Sequence, residues 1–150
     1  METTVEGPWT PHDAESFLAD CDWPMRVAAT ASDGYPRVVS LWFRYESGRL
    51  YAVTHRDSSL AHLLRRNNKV GFEVAPNEPP YHGLRGQALA QLQPLGESDT
   101  LRQLLNHYLG GFDSKVAQWL LSRSDEEIVI TLEPKRLYSW DYRERMADVG

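Results

Sequence analysis

The segment at residues 54–59 has the residue types and spacing best suited to chemistry. The apolar strand predicted for residues 50–53 ends there, and a helix is predicted to begin just beyond it. The polar side chains at this corner are, in order, Thr54, His55, Arg56, Asp57, Ser58 and Ser59. Hydroxyls, a guanidinium and the free N–H groups of a helix N-terminus together can bind an anion, above all a phosphate. An ordinary strand-to-helix turn with a capping side chain fits the same pattern, so both interpretations are open.

The helix after this corner must hold it in place. Asp57 or Ser58 can cap the helix, because either side chain can accept a hydrogen bond from the first helical turn. The spacing of Leu60, Leu63 and Leu64 predicts an apolar stripe that packs against the sheet. The corner is therefore expected to lie between a buried strand and a buried helix face.

Other common kinds of active site are not indicated. The five histidines, at positions 12, 55, 62, 82 and 107, are far apart, and none joins a cysteine or carboxylate at metal-ligand spacing, so no metal site is expected. Glycine-rich nucleotide motifs and a Gly-x-Ser-x-Gly motif are absent from the sequence. Ser58 and Ser59 have no nearby general base, and Cys21 falls on the apolar face of a predicted helix, which favours a packed thiol over a nucleophile.

Composition limits the classes of partner. The 150 residues are expected to form a single domain, residues 1–150. The net charge of −5 offers no basic surface for nucleic acid, and no apolar run approaches the roughly 18 residues of a membrane span. The first residues lack the features of a secretory signal, and the single Cys21 cannot close an internal disulfide. A cytoplasmic location is therefore predicted.

The apolar pattern predicts a mainly β fold. A helix begins at Thr10-Pro11, and two more are predicted at residues 97–109 and after Asp113 or Ser114. Strands are predicted at residues 25–31, 37–45, 50–53, 70–75, 81–92, 127–132 and 136–141, with Glu133-Pro134 dividing the last two. Gly86, inside a strand, indicates a bulge or a close backbone approach. Six or seven strands in sequence runs favour a small closed or half-open antiparallel barrel with peripheral helices.

Several motifs in this order resemble the flavin-binding split barrels related to pyridoxamine 5′-phosphate oxidase. The matching segments are the strand at residues 37–43, Gly48-x-Leu50-Tyr51, Thr54-x3-Ser58, the Leu-rich helix ending at Val70, Pro80-Tyr81-x-Gly83-x-x-Gly86, and residues 134–141. The similarity as a whole spans roughly residues 14–145, the expected core of the domain. The resemblance implies a six-stranded antiparallel split β-barrel and a homodimer that binds FMN, or sometimes a deazaflavin, in two clefts at the dimer interface.

The resemblance also implies roles for individual residues. Arg37 would lie at the phosphate end of the second strand, and the backbone of Val38, Val39, Ser40 and Leu41 would follow the flavin ring. The residues expected around the ribityl phosphate are Thr54, Arg56, Ser58 and Ser59. Tyr81 and Trp140 would approach from the other chain. The implied activity is that of an FMN-dependent oxidoreductase, a flavoprotein that transfers two electrons to or from a small organic substrate.

Two features of the sequence depart from the family pattern, one at residue 60 and one in the segment at residues 142–150. Members of the family usually have a basic residue six positions after the threonine, where this chain has Leu60. Deazaflavin is therefore an alternative cofactor, with Arg65, Arg66 and Lys69 available to meet an acidic tail. A non-catalytic sensor of the same fold is a second alternative. Residues 142–150 lack the Arg-rich segment of true pyridoxamine phosphate oxidases, so that specific activity is not expected, and no catalytic residue is assigned.

Overall fold

Eight strands form one sheet in the computed structural model, which describes residues 3–147. The strands are β1 (Thr4–Glu6), β2 (Met25–Thr30), β3 (Pro36–Leu41), β4 (Arg44–Glu46), β5 (Arg49–His55), β6 (Lys69–Val74), β7 (His82–Pro94) and β8 (Glu127–Asp141). The helices are α1 (Pro11–Asp20), α2 (Ser59–Arg66), α3 (Thr100–Leu109), α4 (Lys115–Ser122) and α5 (Arg143–Met146), with a single 3-10 turn at Ser124–Glu126. None of these helices is long and apolar enough to cross a membrane.

The sheet curls into a half-barrel. Its strand order is β3-β2-β6-β7-β8-β5-β4, with antiparallel pairing along this path, and β1 adds to β8 in parallel. The two edge strands, β3 and β4, are joined only by Trp42 and Phe43, which brings the two ends of the sheet together. The predicted antiparallel split barrel with peripheral helices is confirmed, since its six strands correspond to β2, β3 with β4, β5, β6, β7 and β8.

The prediction of one strand over residues 37–45 is wrong. β3 ends at Leu41 and pairs with β2, whereas β4 begins at Arg44 and pairs with β5. The buried Phe43 lies at the break. Its backbone N–H donates to the Tyr108 hydroxyl at 3.2 Å, and its carbonyl accepts from the same hydroxyl at 3.1 Å. A side chain of α3 thus supplies the partners that a neighbouring strand would otherwise provide.

The predicted division at Glu133-Pro134 is also wrong, because β8 runs through it. On one side of β8, pairing with β5 ends at Leu132 and pairing with β1 begins at Arg136. Pro134 lies in this gap, and the register with β7 shifts at the same place. A proline is tolerated there because no partner strand requires its missing N–H. β1 itself, which lies outside the expected core of residues 14–145, was not predicted.

A close backbone approach explains Gly86. A Cβ at this position would lie 2.6 Å from the Phe72 ring and 2.8 Å from the Arg136 carbonyl oxygen. The prediction of a close approach is therefore confirmed, and the register shift follows directly at Gln87/Ala88. The approach lets β6, β7 and β8 wrap tightly around the core.

Two apolar clusters support the fold. The main cluster fills the barrel and includes Met25, Leu50 and Leu84, with Leu60, Leu63 and Leu64 of α2 packed onto it. The second cluster lies beneath α3 and α4 and contains Leu95, Leu101, Leu105, Ala117 and Val129. The predicted apolar stripe of α2 is confirmed, and the α3–α4 pair is anchored against β5 and β8 beside the corner at residues 54–59.

Candidate functional site

The corner at residues 54–59 is built around Ser58. Its Oγ accepts the backbone N–H of Ala61 and the hydroxyl of Thr54, both at 3.0 Å. Ser58 is therefore the N-cap of α2, which confirms one of the two predicted alternatives, Asp57 or Ser58. The capping bond occupies the third N–H of the helix, while the N–H groups of Ser59 and Leu60 have no partner within the helix. These two donors and the paired hydroxyls give the corner its capacity to bind an anion.

A cavity of about 410 Å³ lies beside this corner. Its walls come from the end of β3, the end of β5, the cap of α2, the start of β8 and the two helices α3 and α4. The residues that line it are Pro24, Ser40, Leu41, Trp42, Val53, Thr54, His55, Ser58, Leu101, Leu104, Leu120, Arg123 and Glu127. Apolar walls with a few polar groups at one end are typical of a small-molecule site.

A buried ion pair lines the cavity. The side chain of Glu127 is 1% exposed, and one carboxylate oxygen accepts from Arg123 Nε at 2.7 Å. The Arg123 guanidinium also lies over the Trp119 ring, 4.0 Å from its centroid. Because a buried carboxylate is costly without a partner, Arg123 is held in this orientation. The cavity is thus lined by an oriented guanidinium whose charge is balanced by Glu127.

The other charged groups of the corner face each other. Arg56 lies 3.8 Å from Asp57 and 3.9 Å from Glu126, and its side chain is about half exposed. His55 Nε2 lies 3.7 Å from the same Glu126 carboxylate. Its Nδ1 accepts the backbone N–H of Asp57 at 3.0 Å. Arg56 is therefore at the corner, as predicted, but its guanidinium is paired on the surface and does not line the cavity.

An aromatic stack supports the far wall. Trp42, which lines the cavity, stacks on Tyr108 with ring centroids 5.2 Å apart and planes 7° apart. Burial raises the pKa of the Tyr108 hydroxyl to about 12. The stack joins the break between β3 and β4 to α3, and it fixes a planar surface beside the cavity.

The structure brings part of the predicted site together. Ser40, Leu41, Thr54 and Ser58 line the cavity, and Ser59 lies at the N-terminus of α2 next to it. The remaining predicted residues are elsewhere in the chain: Arg37, Val38, Val39, Tyr81 and Trp140.

These remaining residues have different surroundings. Arg37 and Val38 are exposed on the edge strand β3, and Val39 packs partly against the barrel core. Tyr81 precedes β7. Trp140 pairs with Gly83 near the C-terminal end of β8, whereas Glu127 is the first residue of this strand. Neither aromatic side chain lines the cavity of its own chain. Their expected approach from a second chain stays a prediction.

Trp42, Arg123 and Glu127 are among the residues that line the cavity but were not assigned to the site from the sequence. The i, i+4 spacing of Arg123 and Glu127 was a usable signal, because it places a cation and a carboxylate within reach where a helix leads into a strand. Trp42 gave no such signal, since its position depends on the break after Leu41, which strand alternation does not reveal.

Known structures share this fold. A conserved hypothetical protein from Mycobacterium tuberculosis matches with a TM-score of 0.77 and 17% identity, over 97% of this chain and 92% of that chain. A protein named as an F420 reductase matches with a TM-score of 0.71 and 20% identity, over 85% and 98%. A candidate pyridoxamine 5′-phosphate oxidase from Listeria innocua matches with a TM-score of 0.60 and 15% identity, over 85% and 95%. The sequence matches no family model and no curated protein.

Proposed function

We propose that this chain, which has the split-barrel fold of the proteins related to pyridoxamine 5′-phosphate oxidase, is a flavin-dependent oxidoreductase. The proposed reaction is two-electron transfer to or from a small organic substrate, with FMN as the cofactor. The observation that carries the proposal is the cavity itself. It joins the end of β3, the hydroxyl-rich corner and an aromatic wall in one space of suitable size.

The corner residues fit the phosphate of FMN. The N–H groups of Ser59 and Leu60 supply donors at a helix N-terminus, and so does the Ser58 hydroxyl, whose Oγ accepts from Thr54 and Ala61 and keeps its own hydrogen. The end of β3, at Ser40 and Leu41, offers backbone groups and an apolar surface for a planar ring. Leu60 does not take part through its side chain, because this side chain is buried in the barrel core.

FMN, when bound, supplies the electron transfer, and the protein supplies position and environment. Leu101, Leu104 and Leu120 give part of the cavity an apolar wall. The Trp42–Tyr108 stack holds the wall of β3 in place, and Ser58 keeps the N-terminus of α2 directed towards the corner. No side chain is assigned as an acid or base.

We further propose that the working form is a homodimer. In the described chain, Tyr81 and Trp140 are outside the cavity, whereas the exposed Val38 lies on the outer face of the sheet together with Tyr138. Pairing of two such faces would cover this surface and bring the partner's Tyr81 and Trp140 to the open side of the cofactor. The proposed location of this dimer is the cytoplasm, which agrees with the single, buried Cys21.

Deazaflavin is the second candidate cofactor. The matched structure named as an F420 reductase favours it, and so do the exposed Arg65 and Arg66 at the end of α2 and Lys69 at the start of β6. These side chains could pair with an acidic tail that extends beyond the phosphate. A deazaflavin would occupy the same cavity, and only its acidic tail would extend beyond it.

The absorption spectrum of the purified protein tests the cofactor. The protein is mixed with excess FMN, desalted and measured, and the same procedure is repeated with the deazaflavin F420. A retained flavin spectrum at about one per chain is expected, and it would justify a screen of substrates with nicotinamide reductants. Retention of F420 alone would favour the second candidate. Colourless protein in both arms would contradict the proposed oxidoreductase and leave a sensor of the same fold.

A further inference from the structure

We infer that Arg123 is the residue that recognises the anionic group of the ligand in the 410 Å³ cavity. The group is a phosphate carried by the flavin-type cofactor, so the inference rests on the proposed function. Arg123 would make the cavity specific for a phosphorylated flavin over the same flavin without phosphate. Its guanidinium reaches the cavity from the end of α4, far in sequence from the corner at residues 54–59.

Among the residues that line the cavity, Arg123 is the one lysine or arginine. Arg37 is exposed on β3, and Arg56 faces Asp57 and Glu126 on the surface. Arg65 and Arg66 belong to the last turn of α2, at the opposite end from its N-cap. Arg123 is therefore the one guanidinium that lines the cavity together with the hydroxyls and N–H groups of the corner.

The contacts of Arg123 leave part of its guanidinium available to bind a second anion. Glu127 accepts from Nε, and Trp119 covers one face of the group. The side chain is 27% exposed, so part of it remains accessible beside the buried Glu127. The two terminal nitrogens carry four further N–H donors in a planar fork, and this geometry matches a phosphate.

Glu127 acts through Arg123 as a positioning residue. Its side chain is 1% exposed and fixes the direction of Nε, so the guanidinium need not be ordered when a ligand binds. The pair is electrically neutral, and the ligand is attracted by directed, charge-assisted hydrogen bonds rather than by net charge. Such bonds are roughly twice as strong as bonds between neutral groups.

Titration with FMN and with riboflavin tests this inference, because the two flavins differ only in the phosphate. Dissociation constants are measured by quenching of flavin fluorescence for the wild-type protein, Arg123→Gln and a control, Arg102→Gln. Arg102 lies over Phe112 at 5.5 Å and does not line the cavity. Removing Arg123 alone leaves Glu127 buried without a partner, so the double variant R123Q/E127Q is measured as well.

We expect the wild-type protein to bind FMN more tightly than riboflavin. Arg123→Gln and the double variant should lower FMN affinity by about tenfold or more, with riboflavin affinity unchanged. Arg102→Gln should retain the wild-type ratio of the two constants. If the folded double variant keeps the wild-type ratio of the two dissociation constants, the role of Arg123 is overturned, whereas the proposed FMN site is not. A wild-type protein that binds neither flavin would overturn the proposed FMN site, and this inference with it.

Discussion

In the proposed site, the Ser58 side chain caps a helix and also binds the ligand, and the chain offers a matched control for separating these two roles. Ser58 caps α2 by accepting the Ala61 N–H, as Ser114 caps α4 by accepting the Ala117 N–H at 3.1 Å. Only Ser58 lines the cavity. The two serines thus have the same local structural role and differ in their distance from the proposed ligand.

Ser58→Ala and Ser114→Ala should each lower the free energy of unfolding by about 1 kcal/mol, because each removes a capping hydrogen bond. Only Ser58→Ala should also weaken FMN binding, by on the order of fivefold, since it removes a hydroxyl from the corner. Urea denaturation and flavin titration measure the two effects. Equal FMN affinity in the two variants would contradict a ligand role for Ser58.

We expect Tyr108 to make the free energy of unfolding sensitive to alkaline pH. Burial raises the pKa of its hydroxyl to about 12, from an ordinary value near 10. Between these two values the folded chain keeps a proton that the unfolded chain loses, so the free energy of unfolding should fall as pH rises through this range. Below pH 10 both states are protonated, and no dependence on Tyr108 is expected.

Tyr108→Phe should show a shallower loss of stability above pH 10 than the wild-type protein. It should also be less stable at pH 7, because the backbone N–H and carbonyl of Phe43, at the break between β3 and β4, both lose their hydrogen bonds to the Tyr108 hydroxyl. Tyr35→Phe, at a tyrosine that is 73% exposed, is the control. Chemical denaturation over a pH series provides the measurement, and identical slopes for all three proteins would count against the buried hydroxyl as the cause.

At the scale of elements, the close approach of β6, β7 and β8 at Gly86 leaves no room for a side chain. Gly86→Ala should destabilise the protein by about 1–3 kcal/mol, because its Cβ would meet the Phe72 ring and a backbone oxygen of β8. Gly71, on β6, is the control, since its Cβ would have only an ordinary contact at 3.8 Å. Gly71→Ala should change the free energy of unfolding by about 0.5 kcal/mol or less. Similar values for both variants in urea denaturation would contradict this account.

Local signals in the sequence were sufficient for most elements. Caps such as Thr10 and Ser58, the leucine stripe of α2 and Gly86 are readable because their causes lie within a few residues of one another. The break after Leu41 was not readable, because it depends on the Tyr108 hydroxyl from α3, 65 residues beyond Phe43. The continuity of β8 through Pro134 depends likewise on where β5 and β1 end.

The same difference between local and tertiary causes applies to the residues of the candidate site. Thr54 and Ser58 were predicted because the corner is continuous in sequence, and they do lie together. Arg123 and Glu127 enter the cavity through the packing of α4 against the barrel, which sequence periodicity does not specify. The predicted location of the corner was thus right, whereas the charged group beside it required the tertiary structure.

At the scale of the whole molecule, the outer face of the sheet is the surface expected to pair with a second chain. Val38 is 65% exposed on the edge strand β3 and lines a depression with Tyr138 and Arg85. Exposed apolar residues on an edge strand are unfavourable in water and favour association. In the proposed dimer, this association also brings the partner's Tyr81 and Trp140 to the cofactor.

Val38→Asp should therefore shift the protein from dimer to monomer and weaken FMN binding in the same step, because the charge disrupts the face that completes the cleft. Val116→Asp is the control, since Val116 is 53% exposed on α4 and lies away from this face and the cavity. Light scattering after size exclusion gives the mass, flavin titration gives the affinity, and circular dichroism verifies that both variants are folded. A monomeric Val38→Asp protein with full FMN affinity would show that one chain completes the site. A dimeric Val38→Asp protein would place the interface on another surface.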